Sequence, residues 1–337
     1  MSIATAITNL QGKIANAYTA IENKGGTLPA TQNAENLSAT IDAIPSGGSS
    51  SKFGATIDDV FQTTTTGDET SLKVFGGVTS LTFTGVTNLP ANGMAYKFYG
   101  SPVTSISFPA MTSAGAYAFQ GAFQNCTSLL SVSFPALSST LGNSTFEGAF
   151  ADCTSLSSVS FPNIVAFNNS TFNSAFKKCA SLTSISFPEA ITVGANAFKD
   201  AFHGCTNLTT VSFPKLATIT GVGAFSTAFG TGQSSYPAAG VTYLSFPALS
   251  SIVSNSTGSG AIFYNNKKIT RIDLPVLTEM KKTATATTNN LVTIFNGCDD
   301  LVEIHFGAAN QTVIEASDGY ATKWGAPNAS CQIYFDL

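Results

Sequence analysis

The side chains best suited to metal or nucleophilic chemistry in this 337-residue chain are six cysteines and two histidines. Four cysteines recur at one repeat position, three residues after the phenylalanine of an Ala-Phe pair: Cys126, Cys153, Cys179 and Cys205. None belongs to the closely spaced cysteine pairs of metal sites, and equivalent side chains in stacked repeats point in parallel, which disfavours disulfides. We expect free structural thiols, with Cys298 a displaced member of the series and Cys331 in a cap.

The histidines and carboxylates form no pattern typical of acid–base catalysis. His203 occupies a repeat position that tolerates any side chain, since the equivalent residues are Gln124, Ala151, Lys177 and Gly230. We therefore expect His203 to face solvent and to be non-catalytic. The adjacent carboxylates Asp58-Asp59 and Asp299-Asp300 lack a partner that would make an acid and a base. No GxSxG, HExxH, phosphate-loop or dinucleotide motif occurs. We expect no catalytic residue, no metal and no cofactor, and therefore no enzyme.

Composition excludes further classes. Charged residues make up 10% of the chain and the net charge is −4, so the basic face that nucleic acid requires is not expected. No apolar run approaches the roughly 18 residues of a membrane helix, so we expect no membrane insertion. The first residues lack the basic region and apolar run of a secretory signal, and we expect the chain to reach its place of action without export.

A Ser-Phe-Pro phrase repeats through the chain, with phenylalanines spaced by 26, 27, 26, 26 and 33 residues: Phe108, Phe134, Phe161, Phe187, Phe213 and Phe246. Degenerate copies follow at Asp273-Leu274-Pro275 and His305-Phe306-Gly307. An Ala-Phe pair also recurs, with another phenylalanine four residues before its own, as in Phe119 and Phe123. Four-residue spacing predicts a short helix with both rings on one face. Each repeat therefore predicts a strand, a Pro-marked turn, a loop and a short helix.

One such unit cannot bury its apolar side alone, but stacked units share a continuous core. The sequence therefore predicts an α/β repeat solenoid with a parallel β-sheet on one face, about 35 Å long for eight coils. The unit Ala-Phe-x-x-Cys-x-x-Leu-x-x-Val-x-Phe-Pro, at residues 149–162, resembles the BspA-like leucine-rich repeat. The likeness covers about residues 78 to 335, with an additional aromatic residue ahead of Ala-Phe. That family occurs in surface and adhesion proteins of gut bacteria, some protists and their phages.

The N-terminal residues show a heptad series, which predicts a helical head for oligomerisation or docking: Ile3, Ile7, Leu10, Ile14, Ala17 and Ile21. The alternative is a helical hairpin packed on itself. Residues 24–33 resemble the N-terminal segment of tail-associated proteins in phages of gut bacteria. The seam residues favour two strands, whereas tail fibres are commonly trimers, so dimer and trimer both stay open.

These patterns divide the chain into five parts. The helical head takes residues 1–45, a Gly/Ser linker 46–51, an entry segment and N-terminal cap 52–101, the solenoid 102–306 and a C-terminal cap 307–337.

The outward strand positions change character along the predicted stack. They carry serine and threonine in five coils and then become Tyr243, Arg271, Asp273, Glu303 and His305. Strand register places Arg271 beside Glu303, and Asp273 beside His305. These residues either protect an exposed sheet edge or form a recognition patch for a sugar or peptide, with Tyr243 as an aromatic platform. The loops 231–240 and 254–261 would rim the patch.

Together these features predict a non-catalytic phage virion protein: a tail-fibre, tail-tip or appendage subunit assembled in the host cytoplasm. We expect a homo-oligomer that contacts other virion proteins through its head and a host-surface glycan or protein through its solenoid. A BspA-like adhesin on the bacterial cell surface is the alternative.

Overall fold

A computed structural model of the chain describes residues 80–138, 141–230, 237–254, 262–282, 293–317 and 319–337. The predicted helical head and the linker lie outside the described residues, as do most of the entry segment and most of the two rim loops. The docking role of the head is therefore still a prediction, and it concerns Ile3, Ile7, Leu10, Ile14 and Ile21.

The first strand of each coil forms where one apolar residue lies between two polar ones, since the apolar side chain then faces the core. In Ser131-Val132-Ser133, Val132 is buried and both serines are half-buried. We call the strands of this type the front sheet: β1 (Ser80–Thr82), β3 (Ser105–Ser107), β5 (Ser131–Ser133), β6 (Ser158–Ser160), β8 (Ser184–Ser186), β10 (Thr210–Ser212), β12 (Tyr243–Ser245), β14 (Arg271–Leu274), β16 (Glu303–Phe306) and β17 (Gln332–Phe335).

Paired strands of the front sheet are parallel and in register by repeat position, as in Ser105 beside Ser131 and Ile106 beside Val132. The predicted parallel sheet of a stacked solenoid is confirmed. β1 and β17 continue this sheet beyond residues 102–306, the limits predicted for the solenoid.

A second parallel ladder, not anticipated from the sequence, follows the proline turn in many coils. Its strands, which we call the side ladder, are β2 (Asn88–Leu89), β4 (Ser113–Ala114), β7 (Ala166–Phe167), β9 (Thr192–Val193), β11 (Thr218–Ile219), β13 (Ser251–Ser254) and β15 (Glu279–Lys282). Each of these strands places an apolar residue inward, such as the buried Val193 and Ile219.

Breaks in the hydrogen bonding of the front sheet are compensated by the side ladder. The front sheet is divided into β1-β3-β5-β6, β8-β10 and β12-β14-β16-β17, whereas the side ladder is continuous from β7 to β15 and passes both divisions. The distances between stacked ring centres follow the same pattern. They are 6.1 Å across the two divisions, for Phe161–Phe187 and Phe213–Phe246. Beside the divisions they are shorter, 5.1 Å for Phe187–Phe213 and 5.2 Å for Phe134–Phe161. Coils that lose hydrogen bonds in one ladder therefore keep them in the other.

The predicted short helix in each repeat is wrong, because the Ala-Phe segments are runs of four-residue turns. Every fourth residue has a positive φ, as at Tyr117 (57°), Gly121 (55°) and Asn125 (62°). One amide closes a turn, as Ala122 N to Phe119 O at 3.0 Å, and the next reaches the following coil. A helix would direct all of these bonds along its own axis. The four-residue spacing still buries both rings, but through turns that bond adjacent coils.

The described residues include one α-helix, α1 (Gln311–Glu315), which lies near the C-terminal end. The 3-10 segments Ala308–Asn310 and Tyr320–Gly325 flank it.

Phenylalanine rings form three ladders through the core, in offset stacks that aromatic pairs favour. Their geometry is represented by the pairs Phe108–Phe134 at 5.0 Å, Phe119–Phe146 at 4.9 Å and Phe123–Phe150 at 5.6 Å. Rings of different ladders meet edge to face, as Phe108 and Phe119 do at 76°. Each fully buried ring contributes about 1.5–3 kcal/mol, so these ladders dominate the stability of the stack.

The cysteine series runs beside the phenylalanine ladders and is buried and unbridged, as expected. Each thiol donates to a phenylalanine carbonyl of the preceding coil, as Cys153 does to Phe123 at 3.0 Å. Cys298 makes the same contact with Phe263 at 3.0 Å, which confirms its place in the series. Burial raises the pKa of Cys126 and Cys205 to about 12. These thiols are therefore structural hydrogen-bond donors in the folded chain.

Asn266 replaces cysteine at the same position, three residues after Phe263. Its amide nitrogen donates to Phe225 O at 2.8 Å and Phe263 O at 3.0 Å, and its oxygen accepts from Phe229 N at 2.9 Å. The side chain is fully buried and satisfied on both sides.

The predicted solvent exposure of His203 is wrong, since only 2% of its surface is accessible. Tolerance of many side chains suggested an exposed position, but Ala151 and Gly230 at the same repeat position are also buried. Its backbone carbonyl accepts from Lys178 N at 2.7 Å, which fixes the turn against the neighbouring coil.

Candidate binding surface

The outer face of the front sheet has two parts. From β1 to β10 its outward positions carry serine and threonine, and the Ser105 hydroxyl donates to that of Ser80 at 2.7 Å. From β12 to β17 most of the same positions carry aromatic, histidine or charged side chains, the exceptions being Ser245 and Gln332. We call this second part the front-face patch: Tyr243, Arg271, Asp273, Glu303, His305, Tyr334 and Asp336.

Asp273 is the anchor of the patch. It is buried, with 6% of its surface accessible, and accepts three hydrogen bonds. Arg271 donates from Nε to Oδ1 at 2.7 Å and from Nη2 to Oδ2 at 3.1 Å, and the Tyr243 hydroxyl donates to Oδ2 at 2.7 Å. The guanidinium also lies 5.8 Å from the centre of the Tyr243 ring. Two exposed side chains are thus held in one orientation.

These contacts set the charge states at the anchor. Burial raises the pKa of Asp273, but the hydrogen bonds from Arg271 and Tyr243, with the charges of Arg271 and His305, outweigh burial and hold it below its usual value. Partial burial and the bond to Asp273 raise the pKa of Tyr243. The carboxylate and the neutral phenol are therefore both favoured at neutral pH.

His305 joins the anchor to the end of the sheet. Its Nδ1 lies 2.7 Å from Asp336 Oδ1 and its Nε2 lies 3.4 Å from Glu303 Oε2. The Tyr334 ring stacks on the imidazole at 4.5 Å between centres. Glu303 Oε2 is also 3.6 Å from Arg271 Nη1. The ring is nearly buried, while both carboxylates beside it are well exposed.

Strand pairing brings together all five residues that the sequence singled out. Arg271 lies beside Glu303 and Asp273 beside His305, as predicted. The first pair forms an ion pair, whereas the nitrogens of His305 face Glu303 and Asp336 rather than Asp273. Tyr334 and Asp336 were missed because residues 307–337 were treated as a cap. The alternation of Gln332-Ile333-Tyr334-Phe335, which matches Glu303-Ile304-His305-Phe306, was the signal for one more strand.

The patch is suited to binding. It holds one guanidinium against two carboxylates, those of Asp273 and Glu303, and presents two large exposed rings, Tyr243 at 48% and Tyr334 at 38% exposure. Across the described ranges, no group of three or more His, Cys, Asp or Glu side chains has metal-binding geometry. In the same part of the chain, no helix has the length and apolar character needed to cross a membrane.

Comparison with known families fits the stacked geometry. The model described as the BspA type leucine rich repeat region matches residues 73–149, 120–235 and 174–292, in six copies. This chain belongs to the BspA-type leucine-rich-repeat family. No curated protein matches the chain.

Several solved structures are similar to this BspA-type chain. A leucine-rich repeat protein from Bacteroides ovatus is 19% identical, with 71% of this chain and 62% of that chain covered and a TM-score of 0.35. A leucine rich cell surface protein from Faecalibacterium prausnitzii is 15% identical, with 77% and 88% covered and a TM-score of 0.33. The leucine-rich repeat protein of T. pallidum is 18% identical, with 77% and 88% covered and a TM-score of 0.30. The family assignment rests on the repeat motif.

Proposed function

We propose that this BspA-type chain is a non-catalytic recognition protein that binds its partner through the front-face patch. The observation that carries the proposal is a change confined to the outer face. The buried rings continue from coil to coil, whereas the outward positions change from short hydroxyl side chains to tyrosines and charges after β10. Exposed aromatic and arginine side chains are the types enriched where proteins bind partners.

The alternative role, protection of a sheet edge, fits the positions less well. Charges that protect an edge lie on or beside the terminal strand. The outward residues of β17 are Gln332 and Tyr334, so Asp336, directly after the strand, is the one charge of the patch at the edge, and the other charges lie on β14 and β16. Tyr243 is three strands away from the edge, on β12. The extent of the patch therefore favours recognition over edge protection.

The test is a double substitution in the full chain, Tyr243→Ala with Arg271→Ala. We expect adsorption to target cells to fall at least about tenfold, as for two central contact residues. The melting temperature should also fall, by roughly a few degrees, because Asp273 loses its three hydrogen bonds, but the chain should stay folded at the temperature of the assay. Lys215→Ala is the matched control, since Lys215 is an exposed residue in the hydroxyl-bearing coils, paired with Glu189. If the double variant adsorbs as well as the wild type, the front-face patch is not the binding surface.

We further propose that the chain is carried on a phage virion as a tail-fibre, tail-tip or appendage subunit. The support is the heptad series and the likeness of residues 24–33 to tail-associated proteins. In this proposal the head contacts other virion proteins and joins copies of the chain, and the solenoid meets a host-surface glycan or protein. Membership of a family that includes adhesins makes a bacterial cell-surface adhesin the alternative.

Two measurements separate these locations. Peptides of the chain should be found by mass spectrometry in purified particles and not among peptides released by protease from intact bacterial cells; the reverse result would establish the adhesin. In the full chain, Ile7→Asn with Ile14→Asn should lower the sedimentation coefficient to that of a monomer. An unchanged sedimentation coefficient would show that the head does not mediate oligomerisation.

A further inference from the structure

The last coil of the described stack presents an open strand. Among the residues that the structure describes, β17 ends the front sheet and bonds to β16 on one side only. Its inward side chains Ile333 and Phe335 are half-buried, whereas Ile304 and Phe306 one coil earlier are almost wholly buried. The strand therefore offers both a free backbone edge and apolar side chains that another strand would cover.

Two exposed carboxylates lie beside this edge. Of the nearby cations, Arg271 is paired with Asp273, and the Lys323 ammonium, which keeps its charge, donates to the Cys331 carbonyl. By contrast, Glu303 and Asp336 each have a second carboxylate oxygen, Oε1 and Oδ2, that makes no hydrogen bond within the described ranges. The side chains of Glu303 and Asp336 are 39% and 53% exposed. A strand laid against β17 would meet these carboxylates.

We propose that the partner contributes an extended basic peptide segment that adds to the open edge of β17 as a further strand. Alternate apolar side chains of this segment cover Ile333 and Phe335, and its lysine or arginine side chains face Asp336 and Glu303. Neighbouring strands lie about 4.8 Å apart, so a lysine side chain reaches Asp336 directly and Glu303 across Gln332. Backbone bonds give such strand addition its affinity, and alternate side chains give its specificity.

This inference rests on the proposed function and names its partner class. A second copy of the chain is a poorer occupant of the edge, since two copies meeting there bring identical carboxylates together, which is unfavourable between adjacent strands. The basic segment supplies opposite charge at the same positions.

The experiment measures binding of blocked octapeptides to the full chain by fluorescence anisotropy. The first probe alternates lysine and valine, and the second alternates glutamate and valine. We expect the glutamate probe to bind at least about tenfold more weakly. Two further lysine probes carry N-methyl groups on either the lysine or the valine amides. Strand addition predicts that one of these is tolerated and the other loses at least about tenfold in affinity, because alternate amides face opposite edges of a strand.

Protein variants complete the design. Glu303→Gln with Asp336→Asn should weaken the lysine probe by about two- to fivefold, the range for exposed ion pairs. Glu189→Gln, an exposed carboxylate on an earlier coil, should leave its affinity unchanged.

The inference would be overturned if the lysine probe did not bind, or if the lysine and glutamate probes bound with equal affinity. Equal effects of the two N-methyl patterns would also overturn it. So would self-association of the chain that Ile333→Lys abolishes. If the lysine probe does not bind while cell adsorption still depends on Tyr243 and Arg271, strand addition is rejected and the proposed recognition role is kept. If adsorption is independent of Tyr243 and Arg271, the proposed function itself falls.

Discussion

The coils up to Ser212 and the coils from Tyr243 onward share one interior and differ in their exterior. Rings stack at 5.0 Å between Phe108 and Phe134 in the first region and at 5.6 Å between Phe263 and Phe295 in the second. The outward strand positions carry hydroxyls in the first region and mostly tyrosine, histidine and charged side chains in the second. The stack therefore constrains what faces inward and leaves the outward positions free to change.

The junction between the two regions satisfies its buried polar groups differently from the coils on either side. In those coils, cysteine thiols donate to the carbonyls of the preceding coil, and Cys298 does so in the second region. At the junction, Asn266 bonds to two carbonyls and one amide, where Phe263 stacks on Phe225 rather than on Phe229. Asn266 thus bonds to both regions at the point where the stacking of the rings shifts by one position along the chain. A cysteine, with a single donor, could not make all three of these hydrogen bonds.

The largest expected effect concerns the shared interior. Phe172→Ala removes a ring that stacks on Phe146 at 5.1 Å and on Phe198 at 5.5 Å. We expect the free energy of unfolding in urea to fall by about 3–5 kcal/mol. Phe335→Ala, at the half-buried end of the stack, should cost roughly half as much. Equal losses would show that the ladder is no better packed in its middle than at its end.

The junction between the regions gives the next effect. Asn266→Ala leaves the buried amide of Phe229 without its partner, and it removes one hydrogen bond each from the carbonyls of Phe225 and Phe263, which keep those from Ala228 N and the Cys298 thiol. We expect a loss of about 2 kcal/mol, the cost of unsatisfied buried polar groups. Asn296→Ala, an exposed asparagine in the following coil, is the control and should change stability by less than about 0.5 kcal/mol. Matching losses in the two variants would contradict the role given to Asn266.

A smaller effect is expected from Asp273, which belongs to the exterior of the second region. Its folded pKa lies below the unfolded value, so its ionised form stabilises the fold above the unfolded pKa. That stability disappears as the pH falls through the folded pKa. At neutral pH the free energy of unfolding of the wild type should therefore exceed that of Asp273→Asn by about 1 kcal/mol, since solvent screens the partly exposed Arg271. The difference should shrink as acid protonates the folded carboxylate. A difference independent of pH would exclude this contribution.

Sequence periodicity was enough to predict the front sheet, its register and the neighbours Arg271 and Glu303, because identical residues at a constant spacing have to stack. The side ladder was missed, since strands as short as Thr192–Val193 carry no readable alternation. The helix prediction for the turns is wrong because a four-residue spacing fits a run of turns as well as a helix. His203 was misplaced because tolerance of substitution does not imply exposure. Tyr334 and Asp336 joined the site only through pairing of a strand that has no Ser-Phe-Pro phrase.

Hydroxyl-radical footprinting on the bound chain tests the central claim most directly, because each region has tyrosines of similar exposure. Tyr243 and Tyr334 lie in the front-face patch at 48% and 38% exposure, and Tyr96 and Tyr117 lie on the turns of the first coils at 48% and 40%. We predict that adsorption to target cells lowers the oxidation of Tyr243 and Tyr334 and leaves that of Tyr96 and Tyr117 unchanged. Protection of Tyr96 and Tyr117 with continued oxidation of Tyr243 and Tyr334 would contradict the account.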